Sequence, residues 1–460
     1  MKKQKQEQKL PSEMMTVAWA ITLAGVAPML DATMMNVAIK PLTHAFSSTL
    51  LTVQWGMTGY VLMLAIATPI SGWLMDRFDG KKVLISSIIA FGMTSVLAGM
   101  SFEIRVFIAC RLLQGFSAGL IMPIMSTLLV KIAGPQNIAR VIAIVTTPMI
   151  FGPIFGPVLG GVIIYYSSWR WLFFINVFIV GITIALLSRS LPHFTPFNPT
   201  KRLDVVGITL LGGMSFTLVL GMSRLVGPNT LSFNLYLLAS VLMLISYVVY
   251  DIKRSHQTVL PLSLFHHRQF SVTSVGLFFA NIAIIGPMLI LALFFQNMLH
   301  LSMIRSALAL IPQGLGMLIT RPYIGRVVAY MGAKRVVLLS IMIGIIGSIP
   351  LVLMTAETNL FWLAISLFIR GMSVGGIMVS LSSEAYTGLS DRELPSASVG
   401  ITMIENLGSS FGTALVAMIT SAMMIKNDLI LSFHTVFLIS MMILAGISFP
   451  TVYLSKKSIN

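Results

Sequence analysis

Fourteen apolar runs, each close to the length of about 20 residues that one helical crossing of a bilayer requires, constrain this chain more than any other feature. They fall at 17–39, 54–75, 83–101, 104–130, 138–166, 170–189, 204–223, 232–251, 270–298, 304–328, 335–355, 359–383, 396–424 and 430–454. Only 10% of the residues are charged and mean hydropathy is +0.92, whereas soluble domains carry about 25% charged residues. The sequence therefore predicts an all-α polytopic membrane protein of fourteen transmembrane helices. No small-residue cleavage site follows the first run, which reads as a retained helix rather than a signal peptide.

The net charge of +16 would suit nucleic acid, but its distribution points elsewhere. With both termini on one side, 21 of the Lys and Arg residues fall on that side, 6 on the other and 3 inside spans. The positive-inside rule then places both termini in the cytoplasm, and most of the charge is topology rather than a nucleic-acid partner signal. The single cysteine, Cys110, excludes an internal disulfide and a cysteine-based metal cluster. The scattered histidines offer no metal site. There is no Gly-x4-Gly-Lys-Ser/Thr loop to hold ATP and no Ser/His/Asp arrangement, so the chain does not read as an enzyme.

The chain repeats itself. Gln114-Gly115-Phe116-Ser117-Ala118-Gly119 in span 4 echoes Arg370-Gly371-Met372-Ser373-Val374-Gly375 in span 12, 256 residues on. Gly152, Phe155, Gly156 and Leu159 in span 5 echo Gly408, Phe411, Gly412 and Leu415 at the same offset of 256, and the turn at 72–82 echoes 325–335 at 253. Spans 1–6 thus recur as spans 9–14 in the same orientation. The expected division is a tail at 1–16, a six-helix bundle at 17–190, a linker with two additional helices at 191–264, a second six-helix bundle at 265–455 and a tail at 456–460. Parallel halves related by an axis along the membrane normal point to alternating-access transport, with substrate held between them.

Charges inside spans are costly and mark function by default. Arg111 lies about 10 Å below the outer surface and Asp31 about 12 Å, at 1.5 Å per residue. The pair reads either as a proton switch lining a cavity, where a cationic substrate competes for the carboxylate, or as a static buried ion pair. Glu405 and Arg370, near the midplane, either pair or leave Glu405 to titrate alone as a second proton or cation site. Thr33, Met34, Asn36 and Gln114 are further cavity candidates, and flexible methionines (32 in the chain) suit varied apolar ligands. Gly152, Pro153, Gly156, Pro157, Gly160 and Gly161 read as a bending gate or as ordinary glycine-mediated packing. Gly72, Asp76, Arg77, Lys81 and Lys82 form a turn that reads as a cytoplasmic latch or as helix capping and topology.

These residues resemble the major facilitator superfamily, in particular its fourteen-helix drug:proton antiporter branch, over essentially the whole chain. Leu30-Asp31-Ala32-Thr33-Met34-Met35-Asn36-Val37-Ala38 is similar to that branch's helix-1 signature, with Lys40 where proline is usual. Arg111-x2-Gln114-Gly115 resembles the helix-4 motif whose arginine the family assigns to proton coupling. Gly152-x3-Gly156-Pro157-x2-Gly160-Gly161 is similar to the helix-5 antiporter motif, with Ala143 at its upstream glycine. Trp169-Arg170-Trp171-Leu172-Phe173-Phe174-Ile175-Asn176 resembles the helix-6 entry. The 72–82 turn matches at Asp76 and Arg77 and departs at Asp79, where glycine is usual.

The resemblance implies two six-helix bundles with two extra helices between them. It also implies proton-driven export of lipophilic, often cationic, compounds from the cell across its cytoplasmic membrane, as in multidrug efflux and antibiotic resistance. No cofactor is implied beyond the proton gradient. The implied partners are small amphipathic substrates, protons and membrane lipid, not nucleic acid, with the monomer as the working unit. Export of one dedicated metabolite, peptide or lipid is the alternative on the same fold. A non-transporting membrane sensor is a remoter alternative.

Overall fold

The computed structural model describes residues 12–134, 137–145, 151–200, 202–224, 230–254, 258–355, 357–424 and 429–454. The helices are α1 (Ser12–Ala45), α2 (Leu50–Arg77), α3 (Gly80–Gly99), α4 (Ile104–Ala133), α5 (Ile138–Val145), α6 (Phe151–Tyr166), α7 (Trp171–Ser190), α8 (Val205–Arg224) and α9 (Thr230–Lys253). They continue with α10 (Arg268–Asn297), α11 (Met303–Ala309), α12 (Ile311–Met331), α13 (Ala333–Val352), α14 (Leu360–Glu384), α15 (Leu394–Met424), α16 (Leu429–Gly446) and α17 (Ser448–Val452). Every predicted apolar run carries helix.

Among the described residues, eleven helical spans are long and apolar enough to cross a membrane. The other three predicted runs are carried by α5 with α6, by α11 with α12, and by α15. Polar side chains thin the apolar character of α12 and α15, among them Gln313, Arg321, Glu405 and Asn406. The run predicted as one span at 304–328 is two helices, because Pro312 occupies the first turn of α12, where its missing N–H costs nothing. Residues 146–150, between α5 and α6, lie outside the described residues.

Polar caps set several helix starts. Thr49 caps α2 through Thr52 N at 3.2 Å, Asp79 caps α3 through Lys81 N at 2.8 Å, and Asn359 caps α14 through Phe361 N at 2.9 Å. Gly134 and Gly332, at φ 63° and 82°, end α4 and α12 in a backbone region that side chains disfavour.

Packing repeats with the sequence. In the first half α4 lies between α2 and α3, and α1 packs on α6 and α7; in the second, α14 lies between α12 and α13, and α10 packs on α15 and α16. Between halves, α5 meets α12 and α14, while α15 meets α2 and α4, so each half lends one helix to the other in the same way. The extra helices α8 and α9 pack on each other, and α8 bridges α2 and α15. Gly212 faces the Ile66 backbone, and Leu218 and Met222 cluster with Ala414.

Basic residues from different helices meet on one face. Lys131 lies over the Phe197 ring at 4.0 Å, Lys334 donates to Val452 O at 2.6 Å, and Arg268 lies 5.7 Å from the Tyr453 ring. The turn at 72–82 belongs to this basic face. Trp169, at the entry of α7, is buried among Phe46, Phe107 and Phe173.

Candidate functional site

Asp31 and Arg111 meet inside the first half. Arg111 Nη1 donates to Asp31 Oδ2 at 2.5 Å and to Gln114 Oε1 at 2.6 Å. Gln114 Nε2 donates to Asp31 Oδ1 at 3.2 Å, and Asn176 Nδ2 donates to the same oxygen at 3.0 Å. Asn176 also reaches Ser95 Oγ at 3.0 Å, and Arg111 Nε donates to Gly56 O at 3.1 Å. The guanidinium lies over the Tyr60 ring at 4.4 Å. Residues from α1, α2, α3, α4 and α7 thus join one network, in which α4 and α7 bond the carboxylate directly, and Asp31 and Arg111 are 2% and 1% exposed. Charge-assisted bonds of this kind are strong when dry, and removing one partner strands the other.

This network does not line the cavity between the halves, contrary to the expectation for Asp31 and Arg111. That cavity, of about 330 Å³, is bounded by α1 and α4 from one half and α10, α12, α14 and α15 from the other. Met29, Met122, Met288, Met317 and Met378 face it, with Ser126, Asn281, Gln313, Arg321, Ser382, Glu405 and Ser409 as its main polar groups. Glu405 is its carboxylate: Ser382 Oγ donates to Oε1 at 3.4 Å, and the charge of Arg321 is near enough to act on it. Gln313 is 2% exposed and its Oε1 has no hydrogen-bond partner among the described residues.

Arg370 and Glu405 are not brought together. The Arg370 guanidinium turns into its own bundle, donating to Ala283 O at 2.9 Å and Ser440 Oγ at 3.3 Å, with the Phe437 ring 5.1 Å away. The charge that acts on Glu405 is instead that of Arg321, which lines the same cavity. The sequence carried that signal as a third in-span arginine, without a role. Asn176 and Ser95 were likewise not singled out as ligands of the Asp31 network.

Thr33 and Met34, read as cavity candidates, serve packing instead. The Thr33 hydroxyl is 2.9 Å from Gly152 O and 3.0 Å from the carbonyls of Met29 and Leu30, not bonded to Asp31. Met34 is buried with Phe107 and Trp169. A Cβ on Gly152 would meet Met29 at 3.0 Å, on Gly156 Thr33 Oγ1 at 2.0 Å, and on Gly160 Val37 at 3.3 Å. The glycine ladder is therefore the face on which α6 closes against α1, and Gly161 points away with nothing within 4 Å. The second half repeats the device: Gly412 abuts Ile282 and Gly286 of α10, and Gly408 abuts Phe278 O. The side chains of Asn36, Pro153 and Pro157 lie outside the described residues.

The residues read as a latch grip the segment that leaves α7. Arg77 Nη1 donates to Pro199 O at 2.8 Å, and Lys81 Nζ to Ser188 O and Leu191 O at 2.8 and 2.6 Å. Asp76 is buried, and its carbonyl accepts from Asn198 N at 2.9 Å. Gly72, one turn earlier, touches Val399 and Pro395 at the start of α15, so this end of α2 lies beside a helix N-terminus of the other half. Lys82 stays exposed. Asp79 is drawn up by partial desolvation, but hydrogen bonds from His193, Lys81 N and Phe194 N outweigh this and hold it below the usual carboxylate range.

A family model for the Major Facilitator Superfamily matches residues 21–413. The chain is 29% identical over 422 residues to the multidrug resistance protein B homolog of Mycobacterium tuberculosis, covering 91% of this chain and 78% of that one. It is 28% identical over 401 residues to the putative multidrug resistance protein MdtD of Yersinia enterocolitica, covering 86% and 84%. Among solved structures it is similar to the proton:xylose symporter XylE, with a TM-score of 0.65 at 14% identity, covering 94% of this chain and 95% of that chain. At that identity the likeness concerns the fold alone.

Proposed function

As a member of the major facilitator superfamily the chain is a multi-pass membrane transporter and not an enzyme, and from that premise we propose that it is a proton-coupled antiporter exporting lipophilic cations. In this reading it works by alternating access across the cytoplasmic membrane, with the basic face and both termini in the cytoplasm. The names of the two multidrug resistance relatives support the substrate class.

The observation that carries the proposal is the inter-half cavity: methionines from both halves surround one carboxylate, Glu405. Thioethers re-pack around varied apolar shapes. Deprotonated, Glu405 attracts a cation; protonated, it leaves Arg321 to repel one. The unspent Gln313 Oε1 offers an acceptor to an N–H or O–H on the ligand.

Asp31 couples the cycle to protons from a separate place. A proton on its carboxylate weakens the hold of Arg111, Gln114 and Asn176, freeing α1 from α4 and α7. The same helix carries Met29, Thr33 and Met34 against the glycines of α6. The span to which α6 belongs reaches α12 and α14 through α5. One proton is thereby tied to the contact between halves.

Ethidium efflux from whole cells, with and without collapse of the proton gradient, tests the reading. Efflux should stop on collapse; persistence would remove proton coupling.

A further inference from the structure

The basic face holds a second cavity, larger than the first at about 730 Å³ and remote from Glu405. It lies where the linker before α8, the end of α9, the loop before α10 and the start of α15 come together. All of these are ends of long helices, so the cavity lies at one end of the helical bundle. Arg202, Arg254 and Arg392 line it, one from each of three segments, and all three are exposed.

Its two carboxylates are already committed. Asp204 accepts from Gly207 N at 2.9 Å, Tyr250 OH at 2.6 Å and Val259 N at 3.2 Å. Glu393 accepts from Ser390 N at 2.8 Å and Ser390 Oγ at 2.7 Å, and pairs with His267 Nε2 at 3.0 Å. None of the three guanidiniums bonds a carboxylate among the described residues. Arg254 instead lies 5.6 Å from the Tyr250 ring. The cavity walls also include the first helical residues of α8, Val205 and Val206, and Ser396 in the first turn of α15. Three guanidiniums that bond no carboxylate, against two carboxylates, leave a positive balance around one hollow that favours an anion, and planar guanidinium forks suit phosphate.

We propose that this cavity binds a phosphate group, with an anionic phospholipid headgroup at the membrane surface or a free phosphate ester as its source. Bound there, the phosphate bridges the inserted helix pair, through Arg202 and Arg254, to the entry of α15 through Arg392. It gives α8 and α9 a task that the six-helix repeat does not supply.

The test uses the purified full-length protein in neutral detergent, with bound lipid counted by native mass spectrometry. Phosphatidylglycerol should bind about tenfold more tightly than phosphatidylcholine of the same chains, as expected when basic side chains read an anionic headgroup. In the R202Q/R254Q/R392Q variant that preference should fall to about twofold or less, while R305Q, on the opposite face, should keep it. Should the triple variant fail to fold, R254Q alone should lose about threefold. Binding of glycerol 3-phosphate by the wild type, lost in the variant and without lipid preference, identifies the free ester as occupant and supports the site. Equal phosphatidylglycerol and glycerol 3-phosphate binding by wild type and variants would overturn it, as would absence of any anion preference in the wild type.

Discussion

Gly156→Ala is the sharpest perturbation of the contact between α1 and α6. The new Cβ would stand 2.0 Å from Thr33 Oγ1 and 2.8 Å from Thr33 Cβ. The hydroxyl has rotamers to escape into, but the Cβ is fixed to the α1 backbone, so the helices must separate by several tenths of an ångström or more. Overpacking of this kind costs about 1–3 kcal/mol. Losing the Thr33–Gly152 bond, which spans the same contact at 2.9 Å, adds about 0.5–1.5 kcal/mol. Gly161→Ala is the matched control, because its Cβ meets nothing within 4 Å. Thermal unfolding of the purified proteins and dye efflux from cells should both show Gly156→Ala impaired and Gly161→Ala near wild type. Adding Thr33→Ala should rescue Gly156→Ala only in part, since it removes the oxygen and leaves the Cβ. Equal behaviour of the two glycine variants would refute the ladder as a packing face.

Four further outcomes follow from the buried groups and the basic face. Asp31→Asn should abolish proton-driven efflux while the protein still reaches the membrane, and wild-type efflux in that variant would remove Asp31 from the mechanism. Arg111→Gln should destabilise by about 3–5 kcal/mol, because it strands a buried carboxylate; Asp31→Asn/Arg111→Gln should recover part of that loss, read by thermal unfolding. Glu405→Gln should weaken efflux of cationic dyes more than of neutral ones of similar size, and an equal loss for both would deny Glu405 a charge role. The depressed Asp79 contributes stability above the usual aspartate pKa that disappears as pH falls through its lower folded value. Asp79→Asn should therefore flatten the acid limb of the stability profile, and an unchanged limb would contradict the His193 and backbone contacts as its cause.

Much of the architecture was legible because the bilayer enforces it. A run of about 20 apolar residues has few alternatives to a membrane helix, and the repeat of Gly152/Gly156 as Gly408/Gly412 foretold that α1–α6 and α10–α15 would pack alike. Asp31 and Arg111 were legible as a pair because both sit at one depth. Depth, however, is a single coordinate. It places a side chain along the membrane normal and says nothing of which way it turns around its helix, which packing decides. Arg370 and Glu405 therefore looked like partners, whereas Arg370 turns to Ala283 O and Ser440 and Arg321 stands by Glu405. The same limit hid Asn176, whose amide completes the Asp31 network from α7. The placement of α8 against α2 and α15 was also not legible, since apolar periodicity does not name a neighbour.

The central claim is that protons and cationic substrate exclude one another within the transport cycle. It is tested most directly by adding a cationic dye to the purified protein in weakly buffered detergent and recording pH. The account predicts proton release that saturates with dye binding and is lost in Glu405→Gln. Dye binding with no proton release, or with proton uptake, would contradict it.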